Sequence, residues 1–177
     1  TGIDHGVELN TMGDIPSEGS GLGSSSTVTV GALHALYTLR RQLVTAEELA
    51  RQACHIEIDI LGKPIGIQDQ YIAAYGGLRF FEFLPGSGEV RITRLELDAA
   101  TQRRLNHNLL LFYTGVTRQA DTILEEQQDN IGRRLAVLDQ MKALAYSACV
   151  ELQGGNVDAI GEMLHESWLL KRQLASK

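Results

Sequence analysis

The chain has 177 residues, 44 % of them hydrophobic, and 16 Lys and Arg against 22 Asp and Glu give it a net charge of −6. That length supports one sizeable core with room for a second small domain, while the acidic balance excludes the electrostatic footprint of a general nucleic-acid binder. The most apolar stretch, Leu109 to Tyr113, is too short to span a bilayer, and Thr1 to Asn10 lacks the basic-then-apolar order of a targeting segment, so a soluble cytoplasmic chain is expected.

In chain order, residues Ile3 to Leu9 are predicted to form a weakly alternating strand, and Asp14-Ile-Pro16 leads into the loop Gly19-Ser-Gly-Leu-Gly-Ser-Ser-Ser26. A first helix is expected from about Ser25 to Gln42, with apolar side chains at Val28, Val30, Leu33 and Leu36. Thr45-Ala-Glu-Glu48 has the form of a capping box and opens a second helix through Leu49, Ala53 and Ile56 to about Ile60. Gly62-Lys-Pro-Ile-Gly66 ends it, and Ile67 to Tyr75 reads as a short helix stopped by Gly76-Gly77. Leu78 to Leu84 and Glu89 to Leu97, joined by Pro85-Gly-Ser-Gly88, are predicted to pair as a hairpin.

Asn108 to Tyr113 has strand length, and from Arg118 the pattern turns helical. One buried stripe is expected at Ile131, Leu135, Leu138, Met141, Leu144 and Ala145, and a second at Ile160, Met163, Leu164, Trp168 and Leu169. Strands mixed with helices place the chain in the α/β or α+β class. Cys54 and Cys149 lie far apart without metal-type spacing, which predicts two buried thiols and no disulfide.

The glycine loop is the first chemical signal. Glycines let the backbone approach a ligand, and the helix that follows offers unpaired N–H groups at its positive dipole end, so the segment suits phosphate. It lacks the Gly-Lys-Ser or Gly-Lys-Thr of a Walker A motif, so charge neutralisation must come from elsewhere. A plain Gly/Ser linker is the alternative reading. Asp69, flanked by glutamines in Gly66-Ile-Gln-Asp-Gln-Tyr71, could accept a proton or simply cap a helix. Glu57, in His55-Ile-Glu-Ile-Asp-Ile60, could join Ser24 and phosphate oxygens in an all-oxygen Mg²⁺ site or lie on a solvated face.

With these residues in view, Asp14-Ile-Pro-Ser-Glu-Gly-Ser-Gly-Leu-Gly-Ser-Ser-Ser26 resembles the central ATP-binding motif of the GHMP kinases. Ala53-Cys-His-Ile-Glu57, the run from Gly62 to Gly77, Leu111-Phe-Tyr-Thr-Gly-Val-Thr-Arg118 and Leu164-His-Glu-Ser-Trp168 resemble the heptose 7-phosphate kinase branch of that family. The resemblance implies a two-domain α+β sandwich, with an N-terminal part like domain 2 of ribosomal protein S5 over residues 1–105 and a ferredoxin-like part of helices and strands over 106–177. It implies ATP and Mg²⁺ as cofactors and a sugar or sugar phosphate as partner, with neither nucleic acid nor membrane involved.

Carried over residue by residue, the resemblance implies that Gly19, Ser20, Gly21, Leu22, Gly23, Ser24, Ser25 and Ser26 bind ATP. Ser24 and Glu57 would hold Mg²⁺, and Asp69 would orient or deprotonate the attacking hydroxyl. Thr114, Gly115, Thr117 and Arg118 are substrate candidates, Arg118 foremost, with Arg79, His165 and Lys171 as further cations for a substrate phosphate. The implied reaction is ATP-dependent phosphorylation of the anomeric hydroxyl of D-glycero-D-manno-heptose 7-phosphate. A fucose- or galactose-type kinase and a non-catalytic ATP- or sugar-binding module are the alternatives. The earlier and later motifs of the family do not occur in these residues, so an incomplete central part is expected, inactive alone and completed by further segments or by a homodimer.

Overall fold

A computed structural model of the chain describes residues 2–4, 6–14, 21–112, 132 and 134–174. Among these, α1 spans Ser24–Leu39, α2 Ala46–Cys54 and α3 Gln68–Tyr75. β1 (Arg79–Phe83) and β2 (Val90–Arg94) follow, then α4 (Ala99–Asn108), α5 (Leu135–Gln153) and α6 (Asp158–Lys171). The class is α+β, as expected. The described residues up to Gly77 make one compact unit and those from Leu78 onward make another.

The first unit is built from α1, α2 and α3. Val30 and Leu33 of α1 meet Leu49 and Ala53 of α2 in its core, with Tyr37, Val44, Ile56, Ala73 and Ala74 packed against them. Burying such aliphatic side chains stabilises by roughly 1.5–3 kcal/mol each for the larger ones. Tyr37 and Gln52 lock the two helices together at the edge of this core, the amide Nε2 donating to the phenolic oxygen at 2.7 Å.

Thr45 caps α2 as its sequence predicts, its hydroxyl oxygen accepting from the Glu48 backbone N–H at 3.1 Å. The carboxylate half of the capping box goes elsewhere, because Glu48 Oε1 accepts from Gln52 Nε2 at 2.6 Å, one turn along the helix. Beyond Cys54 the helix widens into a π-helical stretch, His55–Ile60, which re-aims the side chains that follow. Gly76 then ends α3 with φ 61° and ψ 177°, a conformation open essentially to glycine alone.

In the second unit, β1 and β2 form the expected antiparallel hairpin, Phe81 opposite Ile92. Phe80 packs on Tyr146 of α5 with ring centroids 5.1 Å apart, and the Tyr146 hydroxyl donates to Glu82 at 2.8 Å. These contacts tie the hairpin to the helices after it. α4, absent from the sequence prediction, starts at Asp98, whose carboxylate accepts from the N–H groups of Ala100 and Thr101 at 2.8 and 2.9 Å.

Several expectations are corrected. The described residues between Ile3 and Leu9 form no strand, and neither do Leu109 to Phe112. Apolar character alone does not make a strand, since its backbone groups need a paired neighbour. The apolar stripe of α6 is also wrongly placed. Leu164, Trp168 and Leu169 are exposed, while Val157, Leu170 and Leu174 are buried, because α6 has apolar residues on more than one face. On α5, Leu135 is exposed and Leu152 is buried. Cys54 and Cys149 are free but only partly buried.

Candidate functional site

The site begins at Gly23, which precedes α1 in the left-handed region at φ 66°. A residue with a side chain would be strained there. A methyl group at this position would also lie 3.4 Å from Asp69 Cγ and 3.5 Å from its Oδ2, so the carboxylate lies beside the loop backbone at the start of α1. Gly23 itself brings no side-chain cap to that helix end.

Behind the first turn lies Glu57, with 0 % exposure. Its Oε1 accepts from the Ser25 hydroxyl at 2.6 Å and its Oε2 from the Ser26 hydroxyl at 2.7 Å. Gln70 Nε2, also fully buried, donates to Oε2 at 2.7 Å. Lys63 Nζ donates to Ser25 Oγ at 2.6 Å and reaches Glu57 Oε1 at 3.3 Å. Burial pushes the Glu57 carboxyl up, but the hydrogen bonds from Ser25, Ser26, Gln70 and Lys63 outweigh it, so the group lies below its ordinary value of 4.5. A buried, ionised carboxylate is therefore held among hydroxyl, amide and ammonium donors.

Gly21, Leu22, Gly23, Ser24, Ser25 and Ser26 run from the loop into α1, whereas Gly19 and Ser20 lie outside the described residues. Glu57 is not on a solvated face, because it is fully buried and two of its donors come from α1, 31 and 32 residues upstream. The serines brought to it are Ser25 and Ser26, one and two positions beyond Ser24, which opens the helix. Asp69 is not a cap, since Ile67 occupies that position and Asp69 belongs to the first turn of α3. Thr114, Gly115, Thr117 and Arg118 lie outside the described residues. Arg79, His165 and Lys171 belong to the second unit, on β1 and α6.

Lys63 and Gln70 went unnoticed in the sequence. The signal for Gln70 was its place beside Asp69 in a motif already singled out. For Lys63 it was a cation between Gly62 and Pro64, in the turn that follows the Glu57 helix.

Among the described residues, no group of three or more His, Cys, Asp or Glu side chains could hold a metal ion. The Glu57 cluster is of another kind, with one carboxylate, serine hydroxyls and the buried Gln70 Oε1, which has no hydrogen-bond partner. Oxygen donors with a single carboxylate suit Mg²⁺, which usually completes its shell with water and phosphate. These are the oxygen types that ion takes, and because both Glu57 oxygens already accept two hydrogen bonds each, Mg²⁺ would reach the carboxylate by displacing some of these donors. A separate open cleft, lined by Arg51, Cys54, His55, Asp59, Ile67 and Tyr71 among others, holds a His55–Asp59 contact of 2.8 Å. Burial, then the charges of Glu57 and Asp59, push the Cys54 thiol up from 9.0 to about 11.

Residues 1–77 match the family described as the GHMP kinases N terminal domain. A D-glycero-alpha-D-manno-heptose 7-phosphate kinase of Campylobacter jejuni is 32 % identical over 166 residues, 93 % of this chain and 48 % of that protein. A bifunctional fucokinase/GDP-fucose pyrophosphorylase of Arabidopsis thaliana is 29 % identical over 177 residues, 96 % of this chain and 16 % of that protein. Among solved structures, a D-glycero-D-manno-heptose 1-phosphate kinase of Bacteroides thetaiotaomicron superposes with a TM-score of 0.71 at 29 % identity, covering 90 % of this chain and 46 % of that one. The chain thus spans about half the length, 48 %, of the Campylobacter relative it matches.

Proposed function

Because residues 1–77 match the GHMP kinases N terminal domain, we propose that this chain carries the nucleotide site and the acceptor-activating residue of an ATP-dependent sugar kinase. Its acceptor would be the anomeric hydroxyl of D-glycero-D-manno-heptose 7-phosphate, in nucleotide-heptose biosynthesis. The observation that carries this reading is the meeting of three parts at the start of α1. These are a glycine backbone, a buried carboxylate tied to first-turn serines, and a second carboxylate against the loop.

Phosphoryl transfer asks a protein mainly for in-line positioning and charge neutralisation. The backbone from Gly21 to Ser25, at the start of α1, is suited to hold the phosphates. Mg²⁺, when bound, would neutralise charge on the transferring group. Glu57 would hold it, with the hydroxyl of Ser24 or of Ser25, the latter already 2.6 Å from the carboxylate. Asp69, beside Gly23, would accept the proton of the attacking hydroxyl or fix its direction.

Asp69→Asn in the intact protein tests the assignment. Turnover should fall by about 10²–10⁴ if Asp69 is the general base, with ATP binding retained, and undiminished turnover would remove that role. A specific observation favours a second substrate: the fucokinase relative aligns over 96 % of this chain. Turnover with heptose 7-phosphate, unphosphorylated heptose, fucose and galactose separates the two, since only the first reading needs the terminal phosphate. A non-catalytic module would bind ATP with Mg²⁺ in calorimetry and form no product with any of these sugars. Cytoplasmic residence is in keeping with two unpaired cysteines.

A further inference from the structure

The glycine loop contains no lysine, yet an ammonium group stands at its helix. Lys63 comes from the turn between the π-helical stretch and α3, and it is anchored at both ends. Its backbone N–H donates to the Glu57 carbonyl at 3.0 Å, and Pro64 after it restricts its backbone. From that fixed point Nζ reaches Ser25 Oγ at 2.6 Å.

A simple counter-ion to Glu57 would look different. The carboxylate already accepts from Ser25, Ser26 and Gln70 at 2.6, 2.7 and 2.7 Å, and the ammonium is its most distant partner at 3.3 Å. Glu57 is fully buried, whereas the Lys63 side chain is 33 % exposed. An ammonium has three N–H donors. Among the described residues, Ser25 and Glu57 are the only acceptors of Lys63, which leaves one donor beside the first turn of α1.

From this geometry we propose that Lys63 is a phosphate-binding residue of the nucleotide site, supplying from outside the glycine loop the positive charge that the loop itself lacks. The inference rests on the reading of Gly21 to Ser25 as an ATP cradle. Ser25 stands at the centre, donating its proton to Glu57 and accepting from Lys63, so the acid and the cation are held on one hydroxyl of the α1 first turn. The spare N–H would bond a phosphate oxygen, while Glu57 and the serine hold the ammonium in place.

The test is calorimetric titration of the intact protein with ATP and Mg²⁺ and, in parallel, with adenosine. It compares wild type with Lys63→Met, Lys63→Gln and Lys63→Arg. Hydrogen bonds between charged groups lead us to expect about 10- to 100-fold weaker ATP binding in Lys63→Met, unchanged adenosine binding, and substantial recovery in Lys63→Arg. Should the methionine variant fail to fold, Lys63→Gln keeps a donor for Ser25 without the charge and should show the same selective loss. Equal weakening of ATP and adenosine, or Lys63→Met or Lys63→Gln binding ATP as wild type does, overturns the proposal while leaving the ATP site standing. Wild type that fails to bind ATP overturns both.

Discussion

Protonating Glu57 removes charge from a group that accepts from Ser25, Ser26, Gln70 and Lys63 together. Its folded value lies below the ordinary 4.5, so between the two values the unfolded chain binds more protons. The resulting stability is fully present above pH 4.5 and disappears as pH falls through the folded value. Acid titration of unfolding should therefore show a loss that is flatter in Glu57→Gln. At neutral pH that variant should be about 1–3 kcal/mol less stable by denaturant unfolding, because buried donors lose their acceptor. A midpoint equal to wild type would mean the cluster contributes nothing to folding. Nearby, Cys54 at about 11 should alkylate slowly at pH 8. Two units above the ordinary 9.0 correspond to about a hundredfold less thiolate. Rapid labelling at Cys54, located by peptide mass, would contradict that.

Helix ends were the most legible elements, because their determinants are local. Thr45 names the start of α2 and Gly76 the end of α3, each through its own conformation or side chain. Thr45→Ala should cost about 1 kcal/mol, read as a lower denaturant midpoint at unchanged slope, with Thr45→Ser close to wild type. Equal midpoints for all three proteins would show that the cap adds no stability. The same local logic, applied to Asp98-Ala-Ala-Thr101, would have found α4, whose first amides the Asp98 carboxylate accepts. Strands were harder to read. β1 and β2 are adjacent in sequence and joined by a glycine-rich turn, so their pairing was visible. The apolar runs around Ile3 to Leu9 and Leu109 to Phe112 carried no information about a partner, and the described residues supply none.

At the scale of the whole chain, the site was legible as a set of parts but not as an assembly. Gly23, Glu57 and Asp69 could be picked out through a resemblance, yet Glu57 owes its burial to serines 31 and 32 residues away, a distance no local pattern encodes. Lys63 was missed for the same reason, since its meeting with Ser25 spans 38 residues. Burial in the second unit was equally opaque. Leu110, Leu111 and Phe112 are 76, 78 and 79 % exposed, and a contiguous apolar surface of this sort binds hydrophobic probes. An anilinonaphthalene dye should fluoresce with the native 177-residue chain, and less with the pair Leu110→Ser and Leu111→Ser. Equal signals would place the apolar surface elsewhere. The shared Ser25 hydroxyl has a practical consequence. Because one oxygen joins α1, the Glu57 stretch and the Lys63 turn, compounds that settle among them would raise the melting temperature in proportion to how tightly they bind. A screen of nucleotides and cations by heating alone would then rank the chain's own preferences before any sugar had been chosen.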